Sequence, residues 1–393
     1  MIGVEEARRI VAEIDVRLPK VQVVSLELAS GYTLVKNLYC PFDLPSFAQS
    51  IMDGYAINYH ENDPLEFEVI AEIQAGSKAA VTLNQGQAAR IFTGAPIPSG
   101  ANAVVMQERA RQLGSQLHIE HPPKPNQHIR AIGADLKKEQ LLFESGFQLN
   151  ASSLGVLKSL GFKEVEVYRK PVVSIVVTGD ELVSEDRPLQ KGEIYESNST
   201  VLKAALESNG IAVQKVIAVR DDFDATREAL KEAINSSDLT LVSGGISVGA
   251  YDFVYRSLQE LGVQTYFYKV KQKPGKPLFF GGLNQNYLFA LPGNPGSALT
   301  CFYMYVLPFL KRMQDTSEFE SSSISLALEE GINNTTGRAL FLKAKRNGNS
   351  VHILEHQSSS KLLGFAMADV LVYIPETSRE LAEGTLVDCF IIA

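Results

Sequence analysis

The spacing of apolar positions changes character several times along the chain. Val4, Ala7, Ile10, Val11, Ile14 and Leu18 recur at helical intervals, and Pro19 stops that helix. From about residue 67 the texture turns to short β-rich runs at 67–73, 88–92, 103–106 and 116–119. Gly76, Gly86, Gly94, Gly100 and Gly114 punctuate them. This predicts a small β module, closed by the PPKP run that starts at Pro122. A helical pattern returns at 152–160 and ends at Gly161, as a C-terminal glycine should. Chain on both sides of the module can therefore form one domain with the module inserted into it.

From residue 171 strands and helices alternate. The run 172–177 is continuous and β-branched, as in a buried parallel strand. A helix at 198–208 stops at Gly210, a strand follows at 211–219, and Asp224 is expected to cap a helix reaching Ile234. Strand 239–242, helix 252–261, strand 287–291 and helix 295–310 complete the series, with Pro295 in the first turn of the last helix. The Ser/Glu-rich stretch 316–323 reads as a linker. The tail alternates apolar and polar residues at 339–345, 350–354, 370–374 and 385–392, predicting a second β domain. The expected fold class is α/β plus β and multidomain, with an open, mostly parallel sheet. The expected borders are 1–46 with 131–170, 47–130, 171–316 and 317–393.

Length agrees with that division, because single cores stop growing near ~250–300 residues and this chain has 393. A formal net charge of −8 speaks against a nucleic-acid binder. Cys40, Cys301 and Cys389 lie far apart, which argues against a cysteine-based zinc site and fits a reducing compartment. The first fifteen residues carry charges where a signal peptide needs an apolar run. No stretch approaches the ~20 apolar residues of a membrane span. A cytoplasmic location is expected.

Polar motifs follow four of the predicted strands: TGDE after Val177, RDD after Val219, SGGISVG after Val242 and PGNPG after Leu291. Ligands on open α/β sheets sit at the carboxyl ends of strands, so four motifs at such ends point to one edge. In LTLVSGGISVGAYD, Gly244, Gly245 and Gly249 let the backbone approach a ligand closely. Ser243, Ser247 and free N–H groups at a helix start suit phosphate. Glu181, Asp221, Asp222 and Asp252 could hold magnesium beside it, although Asp222 could equally cap the next helix. KVKQKPGKP gathers Lys269, Lys271, Lys273 and Lys276 on an acidic chain, which asks for an anion; lysines protecting an edge strand are the alternative. Pro292, Asn294 and Pro295 form a stiff strand-to-helix turn fit to present backbone groups to a ring or phosphate. Asp53-Gly54 and Thr93-Gly94 read on turn chemistry alone as structural turns, each with a hairpin signal. His352 and His356 read as surface residues.

These segments together resemble the molybdenum insertase family, the molybdopterin molybdenumtransferases that include the carboxy-terminal domain of gephyrin. The resemblance rests on SIMDGYA from Ser50, RIFTGAPIPSGANAVVMQE from Arg90, VTGDEL from Val177 and IYESNS from Ile194. SGGISVGAYDFV from Ser243, KPGKP from Lys273 and LPGNPGSAL from Leu291 complete it, in order along nearly the whole chain. It implies an elongated homodimer whose active cleft lies between subunits, with the first domain serving dimerisation. It implies that adenylylated molybdopterin and molybdate react, with magnesium, to give molybdenum cofactor and AMP. Roles for Asp53 and Thr93 enter only through this resemblance, as does the adenylyltransferase of the same pathway as a partner. Ala48-Gln49, Lys271 and Asp369 depart from the family pattern. The competing readings are the molybdopterin adenylyltransferase itself, which lacks the amino-terminal and β segments, and a non-catalytic dimeric scaffold.

Overall fold

The computed structural model describes residues 1–16, 20–78, 80–246, 253–314 and 323–392. The chain divides into two compact units. One comprises Met1–Val35, Gly146–Asn150 and Val165–Ala393; the other comprises Lys36–Ser145 and Ala151–Glu164.

Helix α1 (Val4–Glu13) belongs to the first unit and buries Val4, Ala7 and Val11 of the predicted stripe; it ends before Ile14, short of the expected stop, and Leu18 and Pro19 lie outside the described residues. The second unit is built on a six-stranded sheet: β1 (Gly54–Ile57), β2 (Glu66–Ile73), β3 (Gln87–Ile91), β4 (Ala103–Met106), β5 (Ala110–Leu113) and β6 (Gln116–Ile119). Their spatial order is β4-β1-β3-β2-β6-β5. The expected hairpin at Asp53-Gly54 is not there. Gly54 instead opens the buried strand β1, paired with both β3 and β4. A Cβ at Gly54 would stand 1.9 Å from the Val105 carbonyl oxygen, so the glycine serves close strand approach rather than a turn. Thr93-Gly94 does turn, with Gly94 at φ 78°, but it is no hairpin either, since β3 and β4 on its two sides each pair with β1 and not with one another. Helix α2 (Ala151–Ser159) lies in the same unit.

The larger unit carries the α/β sheet. Its elements are β7 (Val173–Thr178), α3 (Asn198–Ser208), β8 (Val213–Val219), α4 (Phe223–Ser236), β9 (Leu239–Ser243), α5 (Phe253–Glu260), β10 (Gln264–Tyr268), β11 (Phe279–Leu283) and β12 (Asn286–Leu291). The spatial order is β8-β7-β9-β12-β11-β10. The strands β8, β7, β9 and β12 are mutually parallel, so their carboxyl ends share one edge. The chain runs from β7 outward to β8, then back across to β9, which makes the β7/β9 boundary the switch point where such sheets bind ligands. Leu202 and Leu206 of α3 pack with Val173, Ile175 and Val177 on one face; Leu230, Ala233 and Ile234 of α4 pack with Val176 and Val242 on the other. Strands β10 and β11 pair antiparallel and escaped the sequence pattern, because two glycines interrupt the run FFGGL.

Two expectations need correction. Helix α4 is capped by Asp222, whose Oδ1 accepts from the Ala225 N–H at 2.8 Å, and not by Asp224. The long last helix is interrupted: α6 (Pro295–Cys301) passes through one turn of π-helix, Phe302–Val306, into α7 (Leu307–Arg312). Pro308, which lacks an N–H, falls in the first turn of α7 and accounts for the break. The linker expected at 316–323 lies almost wholly outside the described residues.

The carboxyl-terminal part is a β sheet of β13 (Ser323–Leu328), β14 (Ala339–Asn347), β15 (Ser350–Ile353), β16 (Val370–Ile374) and β17 (Leu386–Ile391), with the short helix α8 (Leu363–Met367). Its sixth member comes from the α/β part: Gln272 and Lys273 pair in parallel with Ala339 and Leu340. Among the described residues no helix is long and apolar enough to cross a membrane.

Candidate active site

At the switch point two glycines let β7 and β9 meet. Gly244 has φ 92°, and a Cβ there would lie 2.2 Å from the Thr178 carbonyl oxygen. At Gly245, φ 61°, it would lie 2.6 Å from methyl groups of Thr178 and Val254. Only glycine fits both the left-handed backbone and the space. Asn198, at the start of α3, ties this edge together. Its Nδ2 donates to Ser243 Oγ at 2.8 Å and to the Gly293 carbonyl at 2.7 Å. A Cβ on Gly293 would stand 3.6 Å from the Gly244 Cα, so the turn after β12 abuts the glycine turn after β9. Ser247, Gly249 and Asp252 lie outside the described residues.

The carboxylates after β7 and β8 are exposed at the same edge. Thr178 Oγ1 donates to Asp221 Oδ1 at 2.6 Å, and the Asp221 N–H donates to Asp180 Oδ1 at 3.2 Å. Glu181 Oε2 lies over Gly179, 3.0 Å from where a Cβ would be. Asp222 spends one oxygen on its helix cap. These are hard oxygen donors, the kind magnesium takes. Among the described residues no group of three potential ligands stands ready to enclose a metal.

Beyond the turn after β12 opens a cavity of about 790 Å³. Lys273 and Lys276, Pro292 and Asn294, and Ser297 line one side; Arg338, Ser358 and Ser359 of the carboxyl-terminal domain line the other. Among the described residues, three cations and no carboxylate face this space. On a chain of net charge −8 that selects for an anion. The loop bearing the lysines is fixed from behind. Buried Gln272 donates from Nε2 to the Pro274 carbonyl at 3.1 Å and accepts from the Tyr305 hydroxyl. Gly275, φ 87°, has Cys301 Sγ 2.7 Å from its missing Cβ.

The four lysines of KVKQKPGKP thus part company. Lys273 and Lys276 line the cavity; Lys271 pairs with Glu376 at 3.0 Å; Lys269 lies over the Tyr268 ring at 4.4 Å. Pro295 opens α6 and does not line the cavity. Ser297 falls inside the LPGNPGSAL segment, but the sequence alone does not single it out; nothing local marks Arg338, Ser358 and Ser359, and the fold alone brings them to the cavity that Lys276 lines. His352 is exposed, 3.5 Å from Glu329.

In the second unit, Thr93 gives both its N–H and its hydroxyl to Asp53 Oδ1, each at 2.8 Å. The backbone N–H first, then the hydroxyl, with Arg90 adding its charge, hold the Asp53 carboxyl below the usual range. The Asp53 carbonyl accepts from the Gln107 N–H at 3.1 Å, so Asp53 is a fixed, ionised group on an exposed ledge.

Comparison with known proteins covers the whole chain. Residues 2–161 match the MoeA N-terminal region (domain I and II), 174–312 a probable molybdopterin binding domain, and 325–392 the MoeA C-terminal region (domain IV). The chain is 33% identical over 383 residues to a protein of Nostoc sp. named molybdopterin molybdenumtransferase, covering 92% of this chain and 87% of that one. It is 32% identical to a Haemophilus influenzae protein of the same name, covering 98% of each. The fold is similar to the crystal structure of a molybdopterin biosynthesis MoeA protein from Pyrococcus horikoshii OT3, with a TM-score of 0.84, 27% identity and 100% of both chains covered. The chain belongs to the molybdopterin molybdenumtransferase family of enzymes, of the MoeA type.

Proposed function

We propose that this protein inserts molybdenum into molybdopterin and takes molybdate as its metal source. The carrying observation is the cavity faced by Lys273, Lys276 and Arg338 and, among the described residues, by no carboxylate. Molybdate is a tetrahedral dianion, and ammonium, guanidinium and hydroxyl donors match it. The substrate pterin in this reading is adenylylated, and its phosphates lie on Ser243, Gly244, Gly245, Ser247 and Gly249 at the switch point. The short step from Gly244 to Gly293 supports one continuous site from phosphate to oxyanion.

Cleaving a phosphoanhydride needs charge neutralisation and a placed nucleophile more than a covalent intermediate. Magnesium, held by Glu181, Asp222 and Asp252, would neutralise the bridging phosphates. Asp221, oriented by Thr178, and the Asp53–Thr93 pair are assigned to positioning the reactants. The products are AMP and the molybdenum cofactor. We place the enzyme in the cytoplasm as a homodimer with its active cleft between subunits, supplied by the adenylyltransferase of the pathway. The test is AMP release from purified adenylylated molybdopterin with molybdate and magnesium varied separately. AMP should appear only with both. Release independent of molybdate would overturn the insertion reading.

A further inference from the structure

Lys343 sits in β14 with 2% of its surface exposed, behind the cavity wall and not in it. Its Nζ donates to the Ser358 carbonyl at 3.0 Å and stands 5.6 Å over the Phe365 ring; it makes no ion pair among the described residues. Its stem runs past Gly364, whose missing Cβ would lie 3.1 Å from Lys343 Cδ and Cε. The backbone of the same residue grips the same loop. The Lys343 N–H donates to Gln357 Oε1 at 3.0 Å, and its carbonyl accepts from Gln357 Nε2 at 2.7 Å. From the opposite side, the Gly296 N–H donates to the Ser359 carbonyl at 2.9 Å and Asn294 Nδ2 to Ser359 Oγ at 3.2 Å. The loop 357–359 is thus clamped between the α/β turn and a buried ammonium.

A buried cation without a carboxylate is costly unless something anionic lies near, and burial already pushes the Lys343 ammonium below its ordinary value. In a trans peptide the carbonyl and the following N–H point in opposite directions. Aiming the Ser358 carbonyl at Lys343 therefore turns the Ser359 N–H away from the ammonium, and both serines are among the residues that line the cavity. We propose that Lys343 is a positioning residue for oxyanion binding: it sets the 358–359 peptide as a donor wall and places a buried positive charge behind it. The inference rests on the reading that this cavity takes an oxyanion.

The experiment is equilibrium dialysis of the full chain against molybdate alone, for wild type, Lys343→Met, Lys343→Arg and Lys273→Ala, with melting temperatures alongside. Lys343→Met should raise the half-saturating molybdate about tenfold or more at unchanged stoichiometry, because the charge behind the wall and the hold on the Ser358 carbonyl are lost together. Lys343→Arg should stay within about threefold of wild type. A purely structural role would lower the melting temperature or the bound fraction and leave half-saturation where it was. Wild-type binding by Lys343→Met together with weakened binding by Lys273→Ala overturns the inference and leaves the site reading intact. Absence of molybdate binding by wild type, or wild-type binding by Lys273→Ala, sinks the site reading first. Should Lys343→Met not yield folded protein, Lys343→Gln takes its place with the same expected rise.

Discussion

Replacing Gly244 by alanine asks two things of the backbone at once. At φ 92° an L side chain is strained, which costs about 1–3 kcal/mol. The new Cβ would also lie 2.2 Å from the Thr178 carbonyl oxygen, more than an ångström inside van der Waals contact, with main chain on both sides. Neither partner can swing away as a side-chain tip would, so β7 and β9 must separate; overpacking of this kind adds about 1–3 kcal/mol. Gly192 supplies the control. Its φ is 96°, yet a Cβ there meets nothing within 4 Å, so Gly192→Ala bears the backbone strain alone. Gly244→Ala should therefore destabilise more than Gly192→Ala by roughly 1–3 kcal/mol. Thermal melts report the ranking, and hydrogen exchange at β7 and β9 amides should quicken in the first variant only. Equal effects of the two substitutions would refute the argument that strand approach, and not turn conformation alone, requires glycine at 244.

Other outcomes follow from the same geometry. Lys273→Ala and Lys276→Ala should each raise the molybdate needed for half-maximal AMP release, by a few-fold, since both lysines are exposed and screened; Arg338→Ala, half-buried and forked, should raise it about tenfold or more. An unchanged requirement in all three would mean the cavity serves another ligand. Asp222→Ala should lose a helix cap, about 0.5–2 kcal/mol, whereas Asp222→Ser should keep it; retained magnesium dependence and turnover in the serine variant would remove Asp222 from the metal set. The Asp53 carboxyl is held low, so its bonds to Thr93 are intact above the ordinary carboxylate range and are lost as pH falls through the depressed value. Thr93→Ala removes the hydroxyl but keeps the backbone N–H, so the Asp53 titration, followed by NMR, should move part of the way up toward the ordinary carboxylate range; an unmoved curve would contradict the hydroxyl's share.

Much of the α/β core was legible because buried parallel strands are written as continuous apolar runs, and 172–177 and 239–242 fall within one residue of β7 and β9. The carboxyl-terminal strand 370–374 coincides with β16. Short-range signals failed where the deciding partner is remote. Asp53-Gly54 has the composition of a hairpin, but pairing with β3 and β4 makes Gly54 a strand residue. Asp222 and Asp224 are both plausible caps, and only the backbone at 222 is extended. The lysine cluster looked like one constellation along the chain; a spacing of two would put Lys269, Lys271 and Lys273 on one face of a regular strand, but Lys269 stands at φ 68° and the members meet different neighbours. Arg338 and Ser359 carry no local signature, since their meaning comes from the strand pairing that sets them across from Lys276.

That pairing has a consequence for how the molecule can be taken apart. Gln272 and Lys273 are hydrogen-bonded into the carboxyl-terminal sheet through Ala339 and Leu340, main chain to main chain. An excised α/β fragment would keep its sheet and its glycine turns yet surrender one wall of the hollow and the ladder that holds the lysine loop in register. The tail is therefore a structural half of that cavity, and side chains along the seam can drift while the spacing between its two halves persists.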